Sequence, residues 1–157
     1  MLLAVKTSAP VAPTRKDLYE EDFFVWTVQT AERLRAGRLA DADLEHIAEE
    51  IEDMGKRDRH ELRSHLRVLL SHLLKWKFQV SRRSRSWRAA IDVQRDELMH
   101  QLRPMPSLRG YLQDQLTEVY PAAVKGAIAE TDLPDEAFPP ACPFSLDQIL
   151  DADFFPD

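Results

Sequence analysis

The sequence predicts an all-α protein: a helical bundle of four to five principal helices, with an irregular, proline-rich C-terminal tail packed on it. Three observations lead to this fold class. The chain has only four glycines, its strand-type residues are not gathered into alternating runs between turn dipeptides, and its apolar residues recur every three or four positions. A length of 157 residues suits one domain. We therefore expect a flexible leader over residues 1–16 and a single helical domain over residues 17–157.

The first two predicted helices are followed by glycines. Apolar residues recur at helical spacing from Leu18 onward, and Gly37 is predicted to stop the first helix. Asp41 is predicted to cap a second helix. Its apolar stripe follows at helical spacing and consists of Leu44, Ile47, Ala48, Ile51 and Met54. Gly55 is predicted to end or bend this helix, which would allow an αα-hairpin there.

The third predicted helix, residues 56–78, is apolar on most faces in its later half, as expected for the central member of a bundle. A polar break over residues 81–88 precedes a fourth helix, which ends before Pro104. A fifth helix begins after Ser107 and continues beyond Pro121, because the apolar pattern continues there.

The proline-rich tail begins near Leu133 and is predicted to be irregular, except for a short helix near residues 145–150. Four aromatic residues of the tail are predicted to attach it to the bundle. They are Phe138, Phe144, Phe154 and Phe155.

The single cysteine, Cys142, excludes an intrachain disulfide, and a reducing compartment is then the default. The apolar run at the N-terminus is too short for the core of a signal peptide. No stretch approaches the roughly 20 apolar residues of a membrane-spanning helix. We therefore expect a cytoplasmic protein that does not interact with a membrane.

Charge is segregated along the chain. Residues 17–53 hold 12 acidic and 3 basic residues, a net charge of −9, whereas residues 56–103 hold 13 basic and 5 acidic residues, a net charge of +8. Residues 104–157 hold 2 basic and 10 acidic residues, a net charge of −8. The basic segment either meets a polyanion or packs beside acidic segments of the same protein, and we favour the second interpretation.

A possible divalent-cation site is predicted from carboxylates and imidazoles. Glu45, Glu49 and Glu52 share one stripe of the second helix, and His65 and His72 share one face of the third. Helical bundles build metal sites from such residues on facing helices. The alternative interpretation is that the carboxylates are solvated and the histidines are packed.

A second candidate site combines basic and aromatic residues, which could neutralise phosphates and stack on bases. The predicted partner or polyanion contacts are Lys75, Lys77, Arg82, Arg83, Arg85, Trp87 and Arg88, together with Trp76 and Phe78. In the alternative interpretation, which we favour, Trp76 and Phe78 belong to the core and the arginines pair with acidic segments of the chain.

Five stretches of the chain, in this order, resemble the bacterial family called domain of unknown function 29. They are YEEDFFVW (19–26), LEHIAEEIEDMG (44–55), HLLKW (72–76), SRSWR (84–88) and CPFSLDQILDADFFP (142–156). The resemblance runs from about residue 18 to the end of the chain. It implies a small helical bacterial protein, but it implies no reaction, no ligand and no catalytic residue.

These observations leave three functional hypotheses, and whether the protein is an enzyme stays open. The first is a non-enzymatic interaction or regulatory module that binds another protein or itself near residues 76–88. The second is a metal-dependent hydrolase that acts on phosphate esters through the Glu/His cluster. The third, less favoured, is nucleic-acid binding through the arginine-rich segment 82–88.

Overall fold

A computed structural model describes residues 15–157, except for the side chains of residues 15–17 and 41. Every regular element in that range is helical, which confirms the all-α prediction. The helices are α1 (Arg15–Glu21), α2 (Phe23–Arg35), α3 (Leu44–Phe78), α4 (Arg85–Leu102), α5 (Leu108–Thr131) and α6 (Leu146–Leu150). Residues 1–14 of the predicted leader lie outside the described residues.

The chain divides into two compact units. The N-terminal unit ends at Met54, and the C-terminal unit is Gly55–Asp157. The single domain expected over residues 17–157 stays a prediction.

The predicted first helix is in fact two helices, α1 and α2. Asp22 separates them, because its carboxylate accepts a hydrogen bond from the backbone N–H of Val25 at 3.0 Å and so caps the start of α2. Gly37 follows α2 with a φ of 70°, a left-handed backbone conformation that glycine adopts readily. The predicted glycine stop is therefore confirmed.

The predicted helix end at Gly55 is wrong, because α3 runs for 35 residues through this glycine, whereas the alternative of a bend there stays a prediction. Glycine costs a helix only about 1 kcal/mol relative to alanine, and good helix formers flank it on both sides. The predicted start at Asp41 is also wrong, since a short 3₁₀ turn occupies Leu39–Asp41. The carbonyl of Asp43 instead accepts the first helical hydrogen bond, from the N–H of Ile47 at 3.1 Å.

The core of the C-terminal unit forms around the later part of α3. Six of its leucines are fully buried, as the sequence predicts: Leu62, Leu66, Leu69, Leu70, Leu73 and Leu74. α4 contributes Ile91 and Leu98, and α5 contributes Leu112 and Ala123. Truncating a buried leucine typically costs about 2–5 kcal/mol, so this stretch of α3 fixes the position of the surrounding helices.

The fourth helix begins earlier than predicted. The hydroxyl of Ser84 accepts a hydrogen bond from the N–H of Trp87 at 3.2 Å and so caps α4. Trp87 and Arg88 therefore lie on a helix rather than in a polar break. α5 continues through Pro121, as predicted, and ends at Thr131, followed by the cap residue Asp132, whose φ is 59°.

The tail packs on the C-terminal unit through aromatic pairs, which confirms the prediction. Phe138 contacts Phe78 and Phe155 contacts Trp76, with ring centroids 5.4 and 5.3 Å apart. The short predicted helix is α6, which begins with a reciprocal capping box between Ser145 and Gln148.

Candidate functional site

Exposed apolar side chains concentrate in the N-terminal unit. Eleven large apolar side chains of the described residues are exposed, and eight of them belong to this unit. They are Phe23, Phe24, Val28, Leu34, Leu39, Leu44, Ile51 and Met54. The buried residues of α2, by contrast, are Trp26 and Thr30. Contiguous exposed apolar surface marks interaction sites in soluble proteins, and most of the exposed large apolar side chains belong to this unit.

The N-terminal part of α3 carries an apolar stripe that faces solvent. Leu44, Ala48 and Ile51 are spaced i, i+4 and i+7, so they share one face of the helix. All three are exposed, and 64% of Ile51 is accessible. Such a stripe usually faces a core, but here it is available for contact.

An acidic stripe lies beside this apolar stripe. Glu45, Glu49 and Glu52 have the same spacing, displaced by one residue, and all three are exposed. Among the side chains that the structure describes, no group of three or more His, Cys, Asp or Glu residues is placed to hold a metal ion. The predicted carboxylate site therefore gains no geometric support.

The two histidines of the predicted metal site belong to the C-terminal unit. One ring nitrogen of His65 lies 2.7 Å from the side-chain oxygen of Gln94, and the other lies 3.8 Å from the carboxylate of Glu61. The Nδ1–H of His72 donates to the carbonyl of Val68 at 2.9 Å. Burial lowers the pKa of His72, which favours the neutral imidazole. The divalent-cation hypothesis stays a prediction.

A cluster around Tyr19 organises the N-terminal unit. The Tyr19 hydroxyl donates to Glu50 at 2.7 Å, and its ring stacks on His46 with centroids 3.9 Å apart. A carboxylate oxygen of Asp43 lies 2.5 Å from Nδ1 of His46. Trp26 meets Tyr19 edge-on, with centroids 4.9 Å apart. This cluster was not predicted from the sequence, although the i, i+4 spacing of His46 and Glu50 was a usable signal.

The electrostatics of this cluster favour a protonated tyrosine. The hydrogen bond to Glu50 and partial burial raise the pKa of Tyr19 to about 12. At neutral pH the hydroxyl is therefore a hydrogen-bond donor and not a general base. We interpret the cluster as the group that joins α1 and α2 to the first turns of α3.

Lys75 is fully buried in the C-terminal unit. Its ammonium group donates to the carboxylate of Glu130 and lies 4.9 Å from the centroid of the Trp87 ring. A buried lysine requires such partners, because an unpaired buried charge costs several kcal/mol. Lys75 and Trp87, both predicted contacts for a partner, thus contact each other.

Most of the other predicted basic contacts hold the tail. Lys77 donates to the backbone oxygen of Asp157 at 3.1 Å, and Arg83 donates to the carbonyls of Trp76 and Pro156 at 2.8 and 3.0 Å. The guanidinium of Arg88 lies 4.6 Å from the centroid of the Phe155 ring. These contacts place part of the basic segment against the tail, but through backbone oxygens and an aromatic ring and not through the expected pairing with acidic side chains. Arg82 and Arg85 are exposed.

Arg95 also holds the tail, a role that was not predicted from the sequence. Only 3% of this arginine is accessible, and its guanidinium donates to the carbonyls of Ile149, Ala152 and Phe154 at 2.8, 3.3 and 2.6 Å. It also lies 5.3 Å from the centroid of the Phe155 ring. An arginine four positions after the buried Ile91 was the available signal, because this spacing places both residues on one helix face.

The class defined by these observations is an all-α protein with an aromatic and acidic N-terminal unit and a leucine-rich C-terminal unit that holds its own tail. The sequence model of the family described as "Domain of unknown function DUF29" matches residues 18–155. The chain belongs to this family. No curated protein and no solved structure shows significant similarity to the chain. None of the described helices is both long enough and apolar enough to cross a membrane.

Proposed function

We propose that the protein is a non-enzymatic interaction module that binds a partner helix through the N-terminal unit. The observation that carries this proposal is the exposure of eight large apolar side chains on α2, on the following turn and on the first part of α3. Contacts of helices with helical peptides typically use apolar anchors spaced i, i+4 and i+7. Leu44, Ala48 and Ile51 have this spacing and are exposed.

The charge of the N-terminal unit indicates the chemistry of the partner. Residues 18–54 contain 11 acidic and 3 basic residues, a net charge of −8. Glu45, Glu49 and Glu52 lie directly beside the apolar stripe, so a partner helix would meet carboxylates at the rim of the contact. Complementary charge favours specific binding and fast association. The proposed partner is therefore an amphipathic helix with an apolar face and basic flanks.

The same charge argues against a second copy of the chain as the occupant. Two identical acidic surfaces would bring the carboxylates of both copies together, and like charges in close contact are costly. The segment around residues 76–88 is a weaker candidate surface, because the rings of Trp76 and Phe78 pack against the core. Val80 is the exposed large apolar side chain there.

The test uses the whole protein and two labelled helical peptides with the same leucine face, one flanked by lysines and the other by glutamates. Fluorescence anisotropy measures the dissociation constants. We expect the lysine peptide to bind and the glutamate peptide not to bind. Replacing both Leu44 and Ile51 with serine should weaken binding at least about tenfold, because burying each apolar side chain contributes about 1.5–3 kcal/mol.

The matched control replaces Val80 and Val93 with serine, since both are exposed apolar residues of the C-terminal unit. We expect this control to leave the dissociation constant unchanged. Equal binding of the two peptides would contradict the proposed charge preference. A stable dimer in light scattering that the Leu44 and Ile51 replacements dissociate would instead identify a second copy as the occupant.

A further inference from the structure

The C-terminal unit contains an open groove of about 350 Å³ that none of the preceding contacts uses. Its α3 side consists of His60, Arg63, Ser64 and Arg67, and its α5 side consists of Glu118, Val119 and Ala122. The four α3 residues are spaced i, i+3, i+4 and i+7, so they lie on one helix face. The groove therefore has one polar, cationic wall and one mixed wall.

The two arginines of this wall lack protein partners. Within the described residues, neither Arg63 nor Arg67 has a hydrogen bond or an ion pair, and both are exposed. Several other arginines of the unit are engaged, since Arg83 and Arg95 hold the tail and Arg109 pairs with Asp147. Two unpaired guanidinium groups one helical turn apart leave their donors available to a ligand.

We propose that this groove binds a small phosphate monoester. Guanidinium groups match phosphate oxygens with paired hydrogen bonds, and two of them one turn apart can hold one dianion. The hydroxyl of Ser64 lies in the same wall and supplies a further donor. A groove of this volume is at the lower end of the range for small-molecule sites, so a small ligand fits better than an extended polymer.

The α5 wall of the groove indicates which chemical groups the ligand has besides its phosphate. Glu118 is a carboxylate, which repels a phosphate but accepts hydrogen bonds from a hydroxyl group. Ala122 offers exposed apolar surface beside it, next to the buried Val119. The ligand therefore places its phosphate at α3 and a hydroxyl-bearing body at α5, which is the chemistry of a sugar phosphate.

The test records ¹⁵N NMR spectra of the full chain while inorganic phosphate, ribose 5-phosphate or ribose is added. We expect ribose 5-phosphate to shift the amide signals of residues 60–67 and 118–122, and to bind more tightly than inorganic phosphate. Ribose alone should cause no shift. Replacing both Arg63 and Arg67 with glutamine should weaken binding of ribose 5-phosphate by about a hundredfold, roughly tenfold for each charge-assisted contact.

Two controls make the outcome specific. Replacing Arg82 and Arg85 with glutamine removes the same charge elsewhere and should leave the affinity unchanged. Glu118→Gln should reduce the advantage of ribose 5-phosphate over inorganic phosphate. No shifts in the groove at millimolar ligand, or an equal loss of affinity in the Arg82 and Arg85 control, would overturn the proposal.

Discussion

Two buried cations of the C-terminal unit are stabilised in different ways. Lys75 has a carboxylate partner, Glu130, whereas Arg95 is surrounded by three backbone carbonyls of the tail. Burial lowers the pKa of Arg95, but arginine stays charged throughout the pH range in which proteins fold. The tail therefore solvates this guanidinium in place of water. Arg95 stabilises the position of the tail through three donors whose fixed planar arrangement only an arginine side chain provides.

We expect Arg95→Met to lower the free energy of unfolding by about 3 kcal/mol, because it leaves three carbonyls of the tail without their donor. Methionine has a similar length and keeps the packing beside Phe155. Urea unfolding followed by circular dichroism measures the change. The matched control is Arg85→Met, an exposed arginine of the same helix, which should change stability by less than about 0.5 kcal/mol. Equal effects of the two substitutions would contradict the role given to Arg95.

At the scale of elements, local signals explain which predictions succeed. α6 follows a capping box at Ser145, and the positive φ of Gly37 follows directly from its lack of a side chain. Both features depend on a few neighbouring residues. Gly55, by contrast, does not end α3, because a single glycine is a weak stop signal among strong helix formers.

The role of the basic segment depends on contacts that are distant in sequence. Arg83 meets Pro156, 73 positions later, and Lys77 meets Asp157, 80 positions later. Nothing in the local pattern of residues 75–88 distinguishes an arginine that holds a tail from one that binds a polyanion. The sequence therefore left both interpretations open, and the tail contacts now favour the first for Lys77 and Arg83.

Two glycines of α5 provide a matched pair of substitutions. A Cβ atom added at Gly110 would meet no atom within 4 Å, whereas one added at Gly126 would lie 3.0 Å from the hydroxyl oxygen of Ser71. We expect Gly110→Ala to raise the free energy of unfolding by about 0.5–1 kcal/mol, since alanine favours the helix. Gly126→Ala should give no such gain. Thermal and urea unfolding of both variants measures the difference.

A substitution at Ser71 tests whether crowding by its side chain causes the difference between the two glycine variants. The hydroxyl of Ser71 is buried without a hydrogen-bond partner among the described residues, so Ser71→Ala removes the crowding without breaking a described bond. Combining it with Gly126→Ala should recover the gain seen at Gly110. If Gly126→Ala alone stabilises as much as Gly110→Ala, the close approach to Ser71 has no energetic consequence.

At the scale of the whole molecule, burial is unevenly divided. The buried residues of α2 are Trp26 and Thr30, whereas the later part of α3 contributes eight buried residues and α5 contributes seven. Local opening requires little free energy where few apolar contacts are lost. The N-terminal unit, which carries the proposed interaction surface, is therefore the more easily opened part of the chain.

We expect amide hydrogen exchange, measured by mass spectrometry on the whole protein, to be faster in residues 23–35 than in residues 62–75 and 112–127. Exchange in the two slower segments should follow global unfolding. Addition of the lysine peptide should slow exchange in residues 23–54 and leave the other segments unchanged. Equal protection of residues 23–35 and 62–75 in the free protein would contradict this uneven stability.

The hydrogen bonds of Arg95 also impose an order of events during synthesis. Its first acceptor, the carbonyl of Ile149, is made 54 residues later. At a translation rate of about 5–20 residues per second, the guanidinium waits roughly 3–11 s for its partners. During that interval α4 cannot bury its inner face at low cost. We therefore expect α4 to close over this core only after the tail has emerged.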